Sequence, residues 1–249
     1  LTYEGVIATE QKKKNKYWNM KILNDSAAEI TLYGSITGEG WFSESSSKAF
    51  QSELKSLGDV SSIDLYINSP GGDVFEGQAI HSMLQRHKAQ INVYVDALAG
   101  SIASVIAMAG DNITMPSNAM MMIHNPYMGM VGNAAEFRKA ADDLDKITES
   151  IVSTYLAKAG DKLDDGTLRQ LLDEETWLTA DEALNYGLID VVSESKDVAA
   201  CIDHQVLAHF KHVPGKIVAQ SAAESPADQT RPDELLKQKI NMKLELLNL

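Results

Sequence analysis

Apolar and polar residues change rhythm along the chain, and each rhythm predicts an element. From residue 17 to 36 they alternate around Trp18, Met20, Ile22, Ile30, Leu32 and Ile36. Alternation is the period of a half-buried strand, and Asn24-Asp25 in the middle predicts a hairpin turn. A Gly/Ser-rich stretch from Gly34 to Ser47 contains a turn and the start of a helix. That helix continues over Ser47 to Leu57, where Phe50, Leu54 and Leu57 fall on one stripe. Ile63-Asp64-Leu65-Tyr66-Ile67-Asn68 reads as a strand, stopped by Ser69-Pro70-Gly71-Gly72. A helix from about Val74 to His87, a strand from Ile91 to Val95 and a helix from Ser101 to Ala109 follow. Two short strands, Ile113 to Met115 and Met120 to Ile123, come next. Strand–loop–helix units recurring at this interval predict an α/β fold with largely parallel strands.

The longest apolar stretch, Ala97 to Gly110 between Asp96 and Asp111, is 14 residues long. It is too short to span a bilayer and reads as a buried helix. Asn133 to Lys158 predicts a long amphipathic helix, with Phe137, Leu144, Ile147, Ile151 and Leu156 on its apolar side and many charges elsewhere. A short helix is expected over Leu168 to Leu172. Thr179 with Glu182 forms a capping box that opens another helix, ended by Gly187 and followed by a strand from Leu188 to Val192. Beyond about Ser193 the composition shifts: Ser221 to Pro232 reads as a linker and Asp233 to Leu249 as an amphipathic helix. The expected organisation is a polar N-terminal segment (1–16), a main domain (17–195) and a C-terminal extension (196–249).

Charge and cysteine content narrow the partners. The net charge is −13, from 22 Lys+Arg against 35 Asp+Glu. Residues 215–249 are balanced, so the excess sits in residues 1–214. Nucleic acid and anionic membrane are poor partners for so acidic a chain. Cys201 is the only cysteine, which excludes an intrachain disulfide and fits a reducing cytoplasm. Lys12, Lys13, Lys14 and Lys16 are followed by no apolar block, so no signal peptide is expected.

Four places can carry chemistry, and each has a plain structural alternative. Ser101 opens an apolar helix after a strand. Its hydroxyl is either an ordinary N-cap or a nucleophile near free helix N–H groups. Ser104, one turn on, reads as a packing residue. Ser69-Pro70-Gly71-Gly72 is either a turn or a loop whose exposed N–H groups form an oxyanion hole. His124, closing an apolar strand before Asn125-Pro126, is either a structural histidine or a base for Ser101. Asp173-Glu174-Glu175, before Trp177, is either solvated surface or the source of an acid that orients an imidazole. His204, His209 and His212 lack the surrounding ligands of a metal site, and His81 and His87 read as helix-surface residues. No phosphate-binding G-x-x-x-x-G-K-[ST] occurs.

Taken in order, these stretches resemble the ClpP family of serine peptidases. The resemblance rests on Tyr66-Ile67-Asn68-Ser69-Pro70-Gly71-Gly72, Gly100-Ser101, Ala109-Gly110 and Met122-Ile123-His124-Asn125-Pro126. It continues with Trp177-Leu178-Thr179-Ala180-Asp181-Glu182-Ala183 and Tyr186-Gly187-Leu188-Ile189-Asp190. It implies a ClpP/crotonase-type fold of stacked ββα units with a long protruding helix. It also implies Ser101 as nucleophile, His124 as general base and the N–H groups of Gly72 and Ile102 as oxyanion hole. The family's acid is an aspartate two residues before an aromatic; here that position is Glu175, with Asp173 as the alternative. The implied activity is endopeptidase cleavage through an acyl-enzyme, without metal or cofactor. The rival readings are a crotonase-like acyl-CoA enzyme, a Ser–Lys signal-peptide peptidase and a non-catalytic assembly scaffold.

Tyr17-Trp18-Asn19-Met20 and Ile30-Thr31-Leu32-Tyr33-Gly34 are similar to the phage and prophage ClpP-like branch, implicated in capsid (prohead) maturation. That branch implies a cytoplasmic protease of the bacterial host, or one inside proheads, that need not work with an ATP-driven unfoldase. The family assembles through its long helix into rings. The resemblance therefore implies a homo-oligomer built through residues 133–158, with Phe137, Leu144, Ile147 and Ile151 at the interface.

Overall fold

The computed structural model describes residues 16–38, 45–195 and 210–214. Most of the expected N-terminal segment, the linker and the C-terminal helix therefore lie outside the described residues, as do His204 and His209. The described elements run β1 (Trp18–Asn24), β2 (Ala27–Tyr33), α1 (Ser47–Ser56), β3 (Ser62–Ser69), α2 (Val74–Gln85), β4 (Gln90–Gly100) and α3 (Ile102–Ala107). They continue with β5 (Asn112–Pro116), β6 (Met120–Ile123), α4 (Ala134–Ala159), α5 (Asp165–Asp173), β7 (Thr176–Thr179), α6 (Ala180–Asn185) and β8 (Val191–Ser193). This is the α/β architecture with a long helix that the sequence predicts.

The main sheet has the order β1-β2-β3-β4-β5-β8, parallel from β2 onward. Only the hairpin β1–β2 is antiparallel within it. Its register stacks alternating positions into layers: Ile30, Leu65 and Val93 align, and one residue on Thr31, Tyr66 and Tyr94 align. The first layer is fully buried with Ala28, Leu32, Ile63 and Ile67. The second faces outward, where Tyr66 and Tyr94 stack at 5.0 Å and Asn92 donates to Asp64. A parallel sheet usually buries both faces. This one buries a single face, which is why its strands alternate instead of reading as continuous apolar runs.

Strand β4 changes partners along its length. Asn92 to Tyr94 pairs with β5, and Leu98 to Gly100 pairs with β6. β6 in turn pairs antiparallel with β7. The apolar stretch from Ala97 is thus not one helix: its first four residues are strand, and helix begins only at Ile102. Leu98, Ala99 and Gly100 are all buried, so the alternation that marks a strand is missing and the run imitates a buried helix. Thr176 to Thr179 is a strand the pattern does not signal, being only four residues long. His81 is half-buried on its helix. Its Nε2 is buried without a partner among the described residues, and burial pushes its pKa down.

Helix α4 starts from a capping box of Asn133 and Glu136 and ends against Gly160. Its two halves differ. Ile151, Val152 and Tyr155 belong to the subunit's own core, and Ile147 packs against that core. Phe137, by contrast, is 50% exposed. The apolar stripe Phe137–Leu144–Ile147–Ile151 is therefore split: Ile151 is internal, and the N-terminal part projects. Asp190 anchors the other end by accepting from the Ile113 amide at 2.7 Å and from Lys158 Nζ at 2.8 Å.

Candidate active site

Ser101 stands between β4 and α3 with φ 51° and ψ −128°. A positive φ is sterically costly for a side chain with a Cβ, on the order of 1–3 kcal/mol, and persists only where neighbours hold it. Three groups hold it here. The Ser101 amide donates to the Met122 carbonyl at 2.8 Å. The Ser101 carbonyl accepts from the Ser104 amide at 3.0 Å and from Ser104 Oγ at 2.5 Å. Ser104 is fully buried and also meets Tyr155 Oη at 2.7 Å. Ser104 is thus more than packing, and Tyr155 is a supporting residue that the sequence reading placed nowhere.

Although Ser101 sits at the N-cap position, its side chain makes no capping bond. Its Oγ instead lies 2.7 Å from His124 Nε2. The imidazole reaches this point because β6 pairs with the end of β4 and His124 is the next residue after β6. Burial of the ring lowers the His124 pKa; the Glu175 carboxylate opposes that shift and the Lys211 charge adds to it. The ring is consequently neutral at neutral pH, the state able to accept a proton from a hydroxyl.

The β6–β7 ladder brings the acidic cluster to this end of the site. Ile123 pairs with Thr176, the residue after Glu175, and the Glu175 charge reaches the His124 ring. Glu175 carries φ 53°, a turn conformation just before β7. Among the described residues no hydrogen bond joins the Glu175 carboxylate to the imidazole. Glu175 Oε1 accepts from the Lys211 and His212 amides at 2.5 and 3.1 Å. Asp173 is turned elsewhere, accepting from Asn125 Nδ2 at 2.6 Å.

The glycine loop closes the site from the β3 side. Gly71 has φ 96° and Gly72 φ 146°, which a Cβ disfavours. A Cβ on Gly71 would stand 2.7 Å from both the Gly100 carbonyl oxygen and Ser101 Cβ, and one on Gly72 would stand 2.0 Å from the Ile36 carbonyl oxygen. Ile36 clasps the loop on both sides, donating to the Gly71 carbonyl and accepting from the Asp73 amide, each at 2.8 Å. Those bonds leave out the Gly72 amide. The Ile102 amide, at the first position of α3, has no carbonyl one turn back to meet. A cavity of about 300 Å³ is lined by Gly71, Gly72, Ser101, His124, Tyr127 and Phe210. The wider clefts beside Leu54 and Met83 and beside Leu84 and Asp111 contain no serine–histidine pair.

A family model described as Clp protease matches residues 22–196, well over half of the chain. The chain belongs to the Clp protease family. Membership makes it a peptidase by kinship and implies protein substrates and an oligomeric habit. Among the described residues no helix is long and apolar enough to cross a membrane, and no His/Cys/Asp/Glu cluster is arranged to hold a metal ion.

Proposed function

We propose that this Clp protease family member is a serine endopeptidase whose residues 17–195 form the catalytic domain. The observation that carries the reading is the 2.7 Å contact between Ser101 Oγ and His124 Nε2 at a backbone position with positive φ. Ser101 Oγ attacks the scissile carbonyl carbon while His124 takes its proton. The tetrahedral intermediate places its oxyanion toward the amides of Gly72 and Ile102. The imidazolium then gives the proton to the leaving amine, and the acyl-enzyme forms. Water, deprotonated by the same imidazole, hydrolyses the ester and restores Ser101. Glu175 is the acid of the site, and its negative charge favours the imidazolium that forms in each half-reaction. No step calls for a metal or cofactor.

The setting of the reaction is inferred from the N-terminal hairpin. Its similarity to phage and prophage ClpP-like proteins supports a role in capsid maturation, within the cytoplasm of a bacterial host or inside a prohead. The exposed side chain of Phe137 supports a homo-oligomer built through the projecting half of α4.

The test is labelling with a fluorophosphonate followed by peptide mapping. Wild type labelled at Ser101, with labelling and peptide hydrolysis both lost in Ser101→Ala, is the expected result. Hydrolysis near the wild-type rate in Ser101→Ala overturns the mechanism.

A further inference from the structure

The segment Phe210–Val213 lies against the active site, and nothing in the catalytic cycle requires it. Its contacts are of two kinds. Phe210 sets its ring edge-to-face against His124 and Trp177, at 5.8 and 5.9 Å, and lines the cavity that holds Ser101. Phe210 and Val213 pack on Leu98 and Met122, a small apolar cluster separate from the main core. The second kind is polar: the Lys211 and His212 amides both donate to Glu175 Oε1. Two consecutive backbone amides on one carboxylate, with flanking apolar side chains seated on a shelf, amount to recognition of a chain segment, not of a surface residue.

We propose that the shelf formed by Leu98, Met122 and Trp177, together with the Glu175 carboxylate, is a docking site for the chain's own segment Phe210–Val213, which competes there with the substrate. The inference rests on the serine-peptidase reading given above. The docked segment acts in three ways. Phe210 narrows the approach to Ser101. Its ring covers one side of the imidazole. The two amides engage the oxygen that Glu175 would otherwise offer to His124, so the acid and the base stand unbonded. Release of the segment frees the carboxylate to turn to His124 and opens the shelf to an apolar side chain of the substrate. The occupant that fits is a bent peptide with an aromatic residue followed by two residues whose amides converge on one oxygen.

The full-length protein tests this in two measurements. Amide hydrogen exchange reports docking directly: Lys211 and His212 are expected to be protected in wild type and unprotected in Phe210→Ala. Fluorophosphonate labelling of Ser101 reports competition. Phe210→Ala should label about tenfold faster, as expected of a segment docked about nine-tenths of the time, with a melting temperature lowered by no more than about 2–4 °C, the stabilisation such docking contributes. A synthetic peptide spanning residues 207–216 should slow the labelling of the variant again. Unprotected amides in wild type overturn the docking. Protected amides with labelling in Phe210→Ala equal to or slower than wild type overturn the competition and make the segment a supporting part of the site. An inert Ser101 in both proteins overturns the peptidase reading, and the competitor role falls with it, while exchange still decides the docking.

Discussion

Tyr155 Oη meets Ser104 Oγ at 2.7 Å in the interior, and the proton between them has a fixed owner. Ser104 has one hydroxyl proton and gives it to the Ser101 carbonyl. The phenol must therefore donate to Ser104. Burial raises the Tyr155 pKa, which keeps the phenol protonated as that role requires. The chain Tyr155–Ser104–Ser101 links α4 to the backbone of the proposed nucleophile. Ser104→Ala breaks it and strands the phenol, at an expected cost of about 1–3 kcal/mol in stability. kcat should fall with little change in KM, because the Ser101 backbone loses a restraint while the substrate cavity is unaltered. Tyr155→Phe leaves the Ser104 bond to Ser101 in place, so its kcat should stay closer to wild type. Equal kcat for wild type and Ser104→Ala would remove Ser104 from the support of the site.

The pH profile should show where the base titrates. The His124 pKa lies below the ordinary histidine value because the ring is buried. The acid limb of kcat/KM is therefore expected below pH 6.5, the ordinary value for histidine. Glu175 raises that pKa by its charge, so Glu175→Gln should move the limb to still lower pH while lowering kcat. A limb that moves upward in Glu175→Gln would show that the carboxylate does not act on His124. Stability follows the same sign: the unfolded chain binds the proton more readily, so folding loses free energy as pH falls through the unfolded value toward the folded one.

Gly72→Ala should disable the site at its glycine loop. The added Cβ meets the Ile36 carbonyl at 2.0 Å and forces a φ of 146° on a residue that disfavours it. The loop must shift, and its amide with it. Loss of one oxyanion donor lowers kcat by about 10²–10³-fold, and a loss of this size is expected in steady-state hydrolysis. Activity within a few-fold of wild type would show that the Gly72 amide serves no oxyanion.

The two halves of α4 should answer differently to the same substitution. Phe137→Asp places a charge on an exposed position of the projecting half. It should dissociate the assembly in light scattering while circular dichroism stays native. Ile151→Asp places the charge in the core, where the residue is 5% exposed, and should unfold the subunit. An unchanged mass for Phe137→Asp would remove this part of the helix from any interface.

Most of the fold was legible because most of its strands are wet on one face. Ala28, Ile30 and Leu32 alternate with Glu29, Thr31 and Tyr33, and the hairpin follows from that rhythm. Where both faces are dry the rhythm is lost: Leu98, Ala99 and Gly100 read as helix because nothing polar interrupts them. Ser101 and His124 were recognisable as chemistry-bearing types at a strand end and a helix start. Their pairing was legible only through the family resemblance, since the 2.7 Å contact depends on β4 turning to β6 as its partner. The part of Tyr155 was hidden because its neighbour across the core, Ser104, is 51 residues away. Phe210 lay in a stretch read only as a shift in composition, where no periodicity points to a partner. The remaining motif residues have structural work to do: Thr179 and Glu182 cap α6, and Asp190 ties β5 to α4.

Strand β4 resembles a folded card with its crease between Tyr94 and Leu98, where pairing passes from β5 to β6. Ser101 and His124 ride on the same panel, joined by the Ser101 amide on Met122. The glycine loop hangs from that panel too, because β3 follows β4 across the crease and Ser69 pairs with Ala99; Ile36 clasps it from the far side. A change in the angle of the crease would carry the serine, the imidazole and the Gly72 amide together. Proton transfer and carbonyl polarisation are in this sense mounted on one frame. The stiffness of that frame, and not the angle of the crease, then sets how well the chain grips a carbonyl in the act of being attacked.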